Sequence, residues 1–172
     1  MTNMTLTIYQ ASVPVFRQML TNLSVILDKA NAHATEQRID PSVLLQARLY
    51  PTMFPLVRQV QIATDHAKGA TARLSGAEPP KFVDKEKSID ELKARIARTL
   101  KYVSSVPAAK FEGAEARTIL LTIGSRQMEL QGKNYLLGFA LPNFFFHMTT
   151  AYDILRHNGL DIGKRDFLGP SA

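Results

Sequence analysis

The feature that most constrains the fold is a regular apolar seam in the first half of the chain. Between Pro55 and Gly76, apolar side chains recur at intervals of 4, 3, 4, 3 and 4 residues. This spacing places them along one side of an α-helix and is typical of helices that pack side by side in a bundle. The positions are Leu56, Val60, Ala63, Ala67, Ala70 and Leu74. Three of them are alanine, so a neighbouring helix can approach closely.

A first helix is predicted before this seam. Apolar residues follow helical spacing from Tyr9 to Ala30. Pro14 is tolerated only near the start of a helix, so we expect the helix to begin near position 10 or to be bent at the proline. The polar run 31–40 is expected to end it, and the proline-containing stretch 40–54 then forms an ordered connection.

A third helix is predicted after a proline-containing loop at residues 76–87. Ser88 followed by Glu91 forms a capping box, which marks a helix start. Pro107 is expected to end the helix. Its apolar stripe consists of Ile89, Leu92, Ile96, Leu100 and Val103.

Residues 118–131 have a different period. The run TILLTI is apolar and β-branched, GSR is a turn, and QMELQ alternates. Together these features predict a β-hairpin. Residues 132–141 are expected to form a short helical turn. The fold class is therefore all-α, a four-helix bundle with a small β-hairpin inserted before the last helix, and residues 1–172 are expected to form a single domain.

The last helix is expected to open at Pro142 and to end at Asn158-Gly159, which is a strong stop signal. Residues 144–146 are all phenylalanine. A helix that is apolar on more than one face must bury the additional face, so we predict a homodimer. The core-facing stripe is Phe144, Met148, Ala151, Tyr152 and Leu155.

Composition excludes several classes of protein. The chain has no cysteine, which excludes disulfides, thiolate metal sites and cysteine nucleophiles. It has no apolar run of about 18 residues and no secretory pattern at its N-terminus, so we expect no membrane span and a cytoplasmic location. The net charge is +6, but Lys and Arg are scattered among acids, so nucleic acid is not an expected partner.

Five polar side chains are candidates for a ligand-binding site. His147 lies on an otherwise apolar and aromatic helix. It is either a pocket residue (ligand donor, acid–base group or former metal ligand) or a structural histidine bonded to a neighbouring helix. His66 and Gln59 share one edge of the second helix and could meet His147, or they form a solvated edge. Tyr152 and Asn143 could hydrogen-bond a ligand near His147, or serve the core.

Other polar residues are expected to be structural. His33 lies in a polar segment, and His157 lies near a helix end, where a protonated imidazole favours the helix dipole. Asp65 is expected to project into solvent. Residues 164–166 form either an anion site or a packed tail with local ion pairs.

Two long motifs resemble a bacterial domain family of unknown function. They are MFPLVRQVQIATDHAKGATARL at 53–74 and LPNFFFHMTTAYDILRHNGLDIGKRDFLG at 141–169. The resemblance extends to MTLTIYQASVPVF at 4–16. The family is grouped with the DinB/YfiT-like four-helix bundles, so the resemblance implies a DinB-like bundle of up-down-down-up topology, often dimeric.

The resemblance also implies a possible metal centre. Many members of the superfamily hold a divalent metal with three histidines, one on the second helix and two spaced four apart on the last. His147 matches the first of that pair, but Ala151 occupies the second position, and the second-helix position falls at Gln59 to Gln61. Neither residue type replaces a neutral imidazole as a zinc or nickel ligand, so we expect no metal and no other cofactor.

Two functions remain open from the sequence. The first is a small-molecule-binding or interaction module that keeps the bundle but has lost the three-histidine metal site. The alternative is a metal- or thiol-dependent transferase with a reduced site around His147 and His66, because characterised relatives in the superfamily include thiol-dependent S-transferases and an isomerase. The sequence leaves open whether the chain is an enzyme.

Overall fold

Four long helices dominate the structure, a computed structural model that describes residues 5–170. In chain order the elements are α1 (Val13–Glu36), α2 (Pro41–Gln46), α3 (Leu56–Leu74), α4 (Ile89–Ser105), β1 (Thr118–Ile123), β2 (Arg126–Gln131), α5 (Gly132–Tyr135), α6 (Leu141–His157) and α7 (Lys164–Leu168). A 3₁₀ turn, Ala108–Phe111, precedes the hairpin. Both α1 and α3 pack against α4 and α6, so the long helices form a ring. The predicted bundle with a hairpin ahead of its last helix is confirmed.

The apolar seam lies at the centre of this bundle. All six seam residues on α3 are fully buried. Pro55 precedes the first residue of α3, and Ser75 caps its C-terminal end. Because α3 contacts both α4 and α6, its alanine positions set how closely those two helices approach. The seam therefore positions the face of α6 on which His147 lies.

The first helix ends inside the predicted polar run. Because α1 stops at Glu36, the expected end within residues 31–40 is confirmed. The buried side chains of Ala30 and Ala34 extend the core-facing period by one turn, and polar neighbours occupy the solvent side. Pro14 lies in the first turn of α1, where its missing N–H removes no intrahelical bond. Asp40 then caps α2 by accepting a hydrogen bond from the Ser42 amide at 2.9 Å.

The start of α4 follows the predicted capping pattern with one change. Ser88 accepts a hydrogen bond from the Glu91 amide at 3.1 Å, as expected. The Glu91 carboxylate returns to the amide of Lys87 instead of that of Ser88. The helix ends at Ser105, two residues before Pro107. The cap and the proline therefore fix both ends of α4.

The last helix, α6, begins at Leu141, within one residue of the predicted opening at Pro142. The segment before it is more helical than the expected short turn. The backbone is already helical in α5, and a π-helical segment, Leu136–Ala140, joins it to α6 without a break. Pro142 has no N–H to donate, so a regular α-helical ladder cannot run through it, and the wider π turn lies directly before it. The Asn143 side chain donates a hydrogen bond to the Phe139 carbonyl at 2.7 Å, so this turn gains a further bond.

The hairpin and the chain end agree with the sequence pattern. The strands pair antiparallel with Thr118 opposite Gln131. Asn158 caps α6, and Gly159 adopts a φ of +89°, which glycine tolerates best. The tail packs on α1, where the Asn22 amide donates to the Phe167 carbonyl at 3.0 Å. Within residues 5–170, no helix combines the length and apolar character needed to cross a membrane.

Candidate functional site

Three of the five predicted site residues come together where α3 meets α6. The ring centroids of His66 and His147 lie 5.8 Å apart, and the two ring planes are within 16° of parallel. The Nδ1 atom of His147 lies 2.7 Å from Oε1 of Gln59. We refer to Gln59, His66 and His147 as the histidine cluster. Residues distant in sequence therefore meet because the seam aligns two helices that cross in the bundle.

Hydrogen bonding fixes the tautomer of His147. The side-chain NH₂ of Gln59 donates to the Phe54 carbonyl at 3.0 Å, so the amide oxygen of Gln59 faces the imidazole. A carbonyl oxygen only accepts, so Nδ1 of His147 must carry the hydrogen. In the neutral ring, Nε2 therefore carries the lone pair. His147 consequently offers a hydrogen-bond acceptor of defined position.

Aromatic side chains surround the two imidazoles. Phe139, in the π-helical segment, packs against the ring of His66 with centroids 5.9 Å apart. Phe146 meets the ring of His147 nearly at right angles, with centroids 5.2 Å apart. Phe146 is 57% exposed, whereas His147 is 9% exposed. The cluster therefore lies at the boundary between the core and solvent, beside an exposed aromatic ring.

Both imidazoles are held neutral at physiological pH. Burial lowers the pKa of His66 to about 4, and repulsion from His147 adds to the effect. Arg73 also lowers this pKa, whereas attraction to Asp65 opposes the shift. Burial also lowers the pKa of His147, with a further contribution from the positive charge of Arg58. Two adjacent neutral imidazoles can accept hydrogen bonds or ligate a metal, and neither carries the positive charge of an anion-binding group.

The other two predicted residues hold local structure. The Tyr152 hydroxyl donates to the Ile162 carbonyl at 3.3 Å, and its ring packs edge-on against Phe167. Asn143 bonds to the Phe139 carbonyl, as described above. Both side chains thus engage backbone oxygens rather than the imidazoles, and a ligand would have to displace those bonds to use them.

Asp65, expected to be solvated, keeps 35% of its side chain exposed but is also held in ion pairs. Its carboxylate pairs with Arg95 at 2.8 Å and with Lys68 at 2.9 Å. The Arg95 side chain is only 2% exposed, and it also bonds to Thr64 and Glu86. Sequence reasoning missed Arg95, which adjoins the apolar stripe of α4. The acidic residues of the preceding loop are the sequence feature that could have indicated a buried arginine, because they supply its carboxylate partners.

The three-histidine metal centre does not fit this donor set. Ala151 is fully buried on α6 and offers no donor atom. The side-chain oxygen of Gln59 is already bonded to His147. Across residues 5–170, no group of three or more His, Cys, Asp or Glu side chains is arranged to hold a metal ion. Catalytic zinc usually takes three protein ligands, and here the cluster supplies two imidazoles.

Several cavities in the described part of the chain lie away from the histidine cluster. One, of about 770 Å³, is bordered by the N-terminal segment, the 3₁₀ turn and the π-helical segment, with Tyr9, Phe111 and Leu136 in its wall. A shallow one, of about 440 Å³, lies at residues 48–51. Another, of about 370 Å³, lies beside α4.

Comparisons with known proteins give a consistent result. Residues 8–168 match the family model described as a domain of unknown function, DUF1993. The chain is also similar to the crystal structure, at 1.83 Å resolution, of a DinB family member protein from Shewanella denitrificans. The two are 44% identical, with a TM-score of 0.87, over 95% of this chain and 92% of that chain. No curated protein matches.

Proposed function

This chain belongs to the DUF1993 family, and we propose that it is a small-molecule-binding module in which the histidine cluster takes the place of the superfamily's three-histidine metal centre. The observation that carries the proposal is the fixed tautomer of His147, which Gln59 imposes from 2.7 Å away. A side chain whose lone pair is oriented in this way is suited to recognise a hydrogen-bond donor.

The surroundings of the cluster suggest the class of ligand. His66 and His147 are neutral, and Phe146 adds an exposed ring beside them. Neutral acceptors next to apolar rings favour an uncharged planar group that carries one O–H or N–H donor. The donor would bond to Nε2 of His147 while the planar body packs against Phe146.

Homodimerisation is part of the same proposal. Phe146 and Phe54 are 57% and 54% exposed, and both lie beside the histidine cluster. Exposed aromatic side chains at one place commonly mark an interaction surface. We expect Phe146→Glu to shift the protein from dimer to monomer in analytical ultracentrifugation. A wild-type protein that sediments as a monomer at all concentrations would contradict the proposed dimer.

The alternative is a metal- or thiol-dependent transferase with a reduced site. The observation that favours it is the approach of two neutral imidazoles to 5.8 Å between centroids, which brings two possible nitrogen ligands into one place. A second molecule, such as a substrate, would have to complete the coordination. Elemental analysis of tag-free protein equilibrated with zinc, nickel and manganese tests this idea. Stoichiometric metal that His147→Ala removes would support the transferase over the binding module.

Phenol and anisole provide the test of the binding module. They share the same ring, but only phenol has a donor. We expect saturable chemical-shift changes at His66 and His147 with phenol in ¹⁵N-edited imidazole spectra, and much smaller changes with anisole. His147→Gln should abolish the phenol response, and His157→Gln, at the exposed end of α6, should leave it intact. Equal responses to both compounds would refute recognition through Nε2.

A further inference from the structure

A cleft beside α4 combines positive charge with an aromatic ring. Its volume is about 370 Å³, within the usual range for small-molecule sites. The loop before α4 contributes Lys81, Phe82 and Lys85, and α4 contributes Ala94 and Arg98. We refer to these five residues as the basic cleft. It contains none of the residues of the histidine cluster and is a separate site.

The acidic residues that border the basic cleft are already engaged. Glu86 accepts hydrogen bonds from Gln61 and from Arg95, which also lines the cavity. Glu91 accepts from the backbone amide of Lys87 at the start of α4. Arg95 is neutralised in turn by its carboxylate partners, among them Asp65. These acids are therefore committed to holding the loop and helix together.

The cations of the basic cleft have no such partners. Among residues 5–170, Lys81, Lys85 and Arg98 take part in none of the ion pairs, whereas Lys29, Lys68, Lys93 and Arg58 each face a carboxylate. With Arg95, the lining of this concave surface carries four positive charges against the two carboxylates of Glu86 and Glu91. The gathering of these cations around one cavity favours an anionic ligand.

Stacking orients the most informative of these cations. The guanidinium carbon of Arg98 lies 3.8 Å from the centroid of the Phe82 ring. Stacking on a ring face leaves the N–H groups at the edge of the guanidinium free, and their planar fork matches two oxygens of a phosphate group. Ala94 lies one turn before Arg98 on α4, and its small side chain leaves space above the helix.

We propose that the basic cleft binds the phosphate group of a small molecule. Arg98 contacts two phosphate oxygens, and Lys81 and Lys85 supply further positive charge from the loop. Phe82 holds Arg98 in place and borders the space that the organic part of the molecule occupies. The cavity volume of about 370 Å³ suits a small phosphomonoester.

Isothermal titration with phenyl phosphate and with inorganic phosphate tests this proposal. We expect saturable binding of phenyl phosphate at one site per chain. Arg98→Gln and Lys81→Gln should each weaken it at least about tenfold, because each removes a charge-assisted hydrogen bond. Binding of inorganic phosphate with the same sensitivity supports recognition through the phosphate alone.

Lys101→Gln is the matched control, since it removes one positive charge from α4 outside the basic cleft. It should change the affinity less than twofold. Circular dichroism checks that each variant is folded, and Lys81, in an exposed loop position, keeps the test valid if Arg98→Gln is unstable. Failure of wild-type protein to bind either phosphate compound would overturn the proposal, as would equal weakening by Lys101→Gln, which indicates unspecific charge attraction.

Discussion

Stability is expected to fall as the pH drops from 6.5 towards 4, and His66 is the main reason. In the folded chain its pKa is lowered from 6.5 to about 4, mainly by burial and then by repulsion from His147. The positive charges of Arg73 and Lys68 also lower the pKa, and the negative charge of Asp65 opposes them. Above pH 6.5 the imidazole is neutral in both states, so no stability is lost. Between these values the unfolded chain binds a proton that the folded chain does not, and unfolding is favoured. The full shift corresponds to roughly 3 kcal/mol, reached near pH 4.

Urea unfolding of the wild type and of His66→Gln, followed across this pH range, measures the effect. Glutamine keeps a polar side chain but does not titrate, so the variant should lose the corresponding slope of up to about 1.4 kcal/mol per pH unit. His147 also has a lowered pKa, so a smaller slope should persist in the variant. His157→Gln, at an exposed position, should follow the wild type. Parallel curves for the wild type and His66→Gln would refute the reasoning.

Two further substitutions test the packing. In Gly132→Ala the new Cβ would lie 1.9 Å from the Ala114 carbonyl oxygen. We therefore expect the free energy of unfolding, measured by thermal unfolding, to fall by about 2–4 kcal/mol. Gly138→Ala, whose Cβ would meet nothing within 4 Å, should change it little. Arg95→Leu should cost about 3 kcal/mol in urea unfolding because it leaves Glu86, whose side chain is 10% exposed, without its cation. Arg156→Leu, at a 55% exposed ion pair, should cost less than about 1 kcal/mol. Equal losses within either pair of variants would contradict the assigned contacts.

Local signals located two helix ends but underestimated one segment. The polar run 31–40 contains the end of α1 at Glu36, and Pro142 is the second residue of α6. The π-helical segment Leu136–Ala140 exceeds the expected short turn, because Leu136 and Ala140 are buried in the core. There, packing rather than a local signal determines the backbone.

The histidine cluster was only partly predictable. Spacing put Gln59 and His66 on one edge of their helix, and aromatic context singled out His147. The sequence did not reveal that Gln59 would bond to His147, because that bond depends on how two helices cross. The buried Arg95 was missed for the same reason, since its partners come from α3 and from the preceding loop.

The sequence by itself determined the helical bundle, the hairpin ahead of its last helix, and the family to which the chain belongs. These properties depend on side-chain periods, caps and motifs that lie along a continuous stretch of chain. Only the tertiary structure decided that His66 and His147 face each other, that Gln59 fixes one tautomer, and that Lys81 and Arg98 border one cleft. Such properties depend on the angle and register of helices packed from distant parts of the chain, and local spacing carries no information about either.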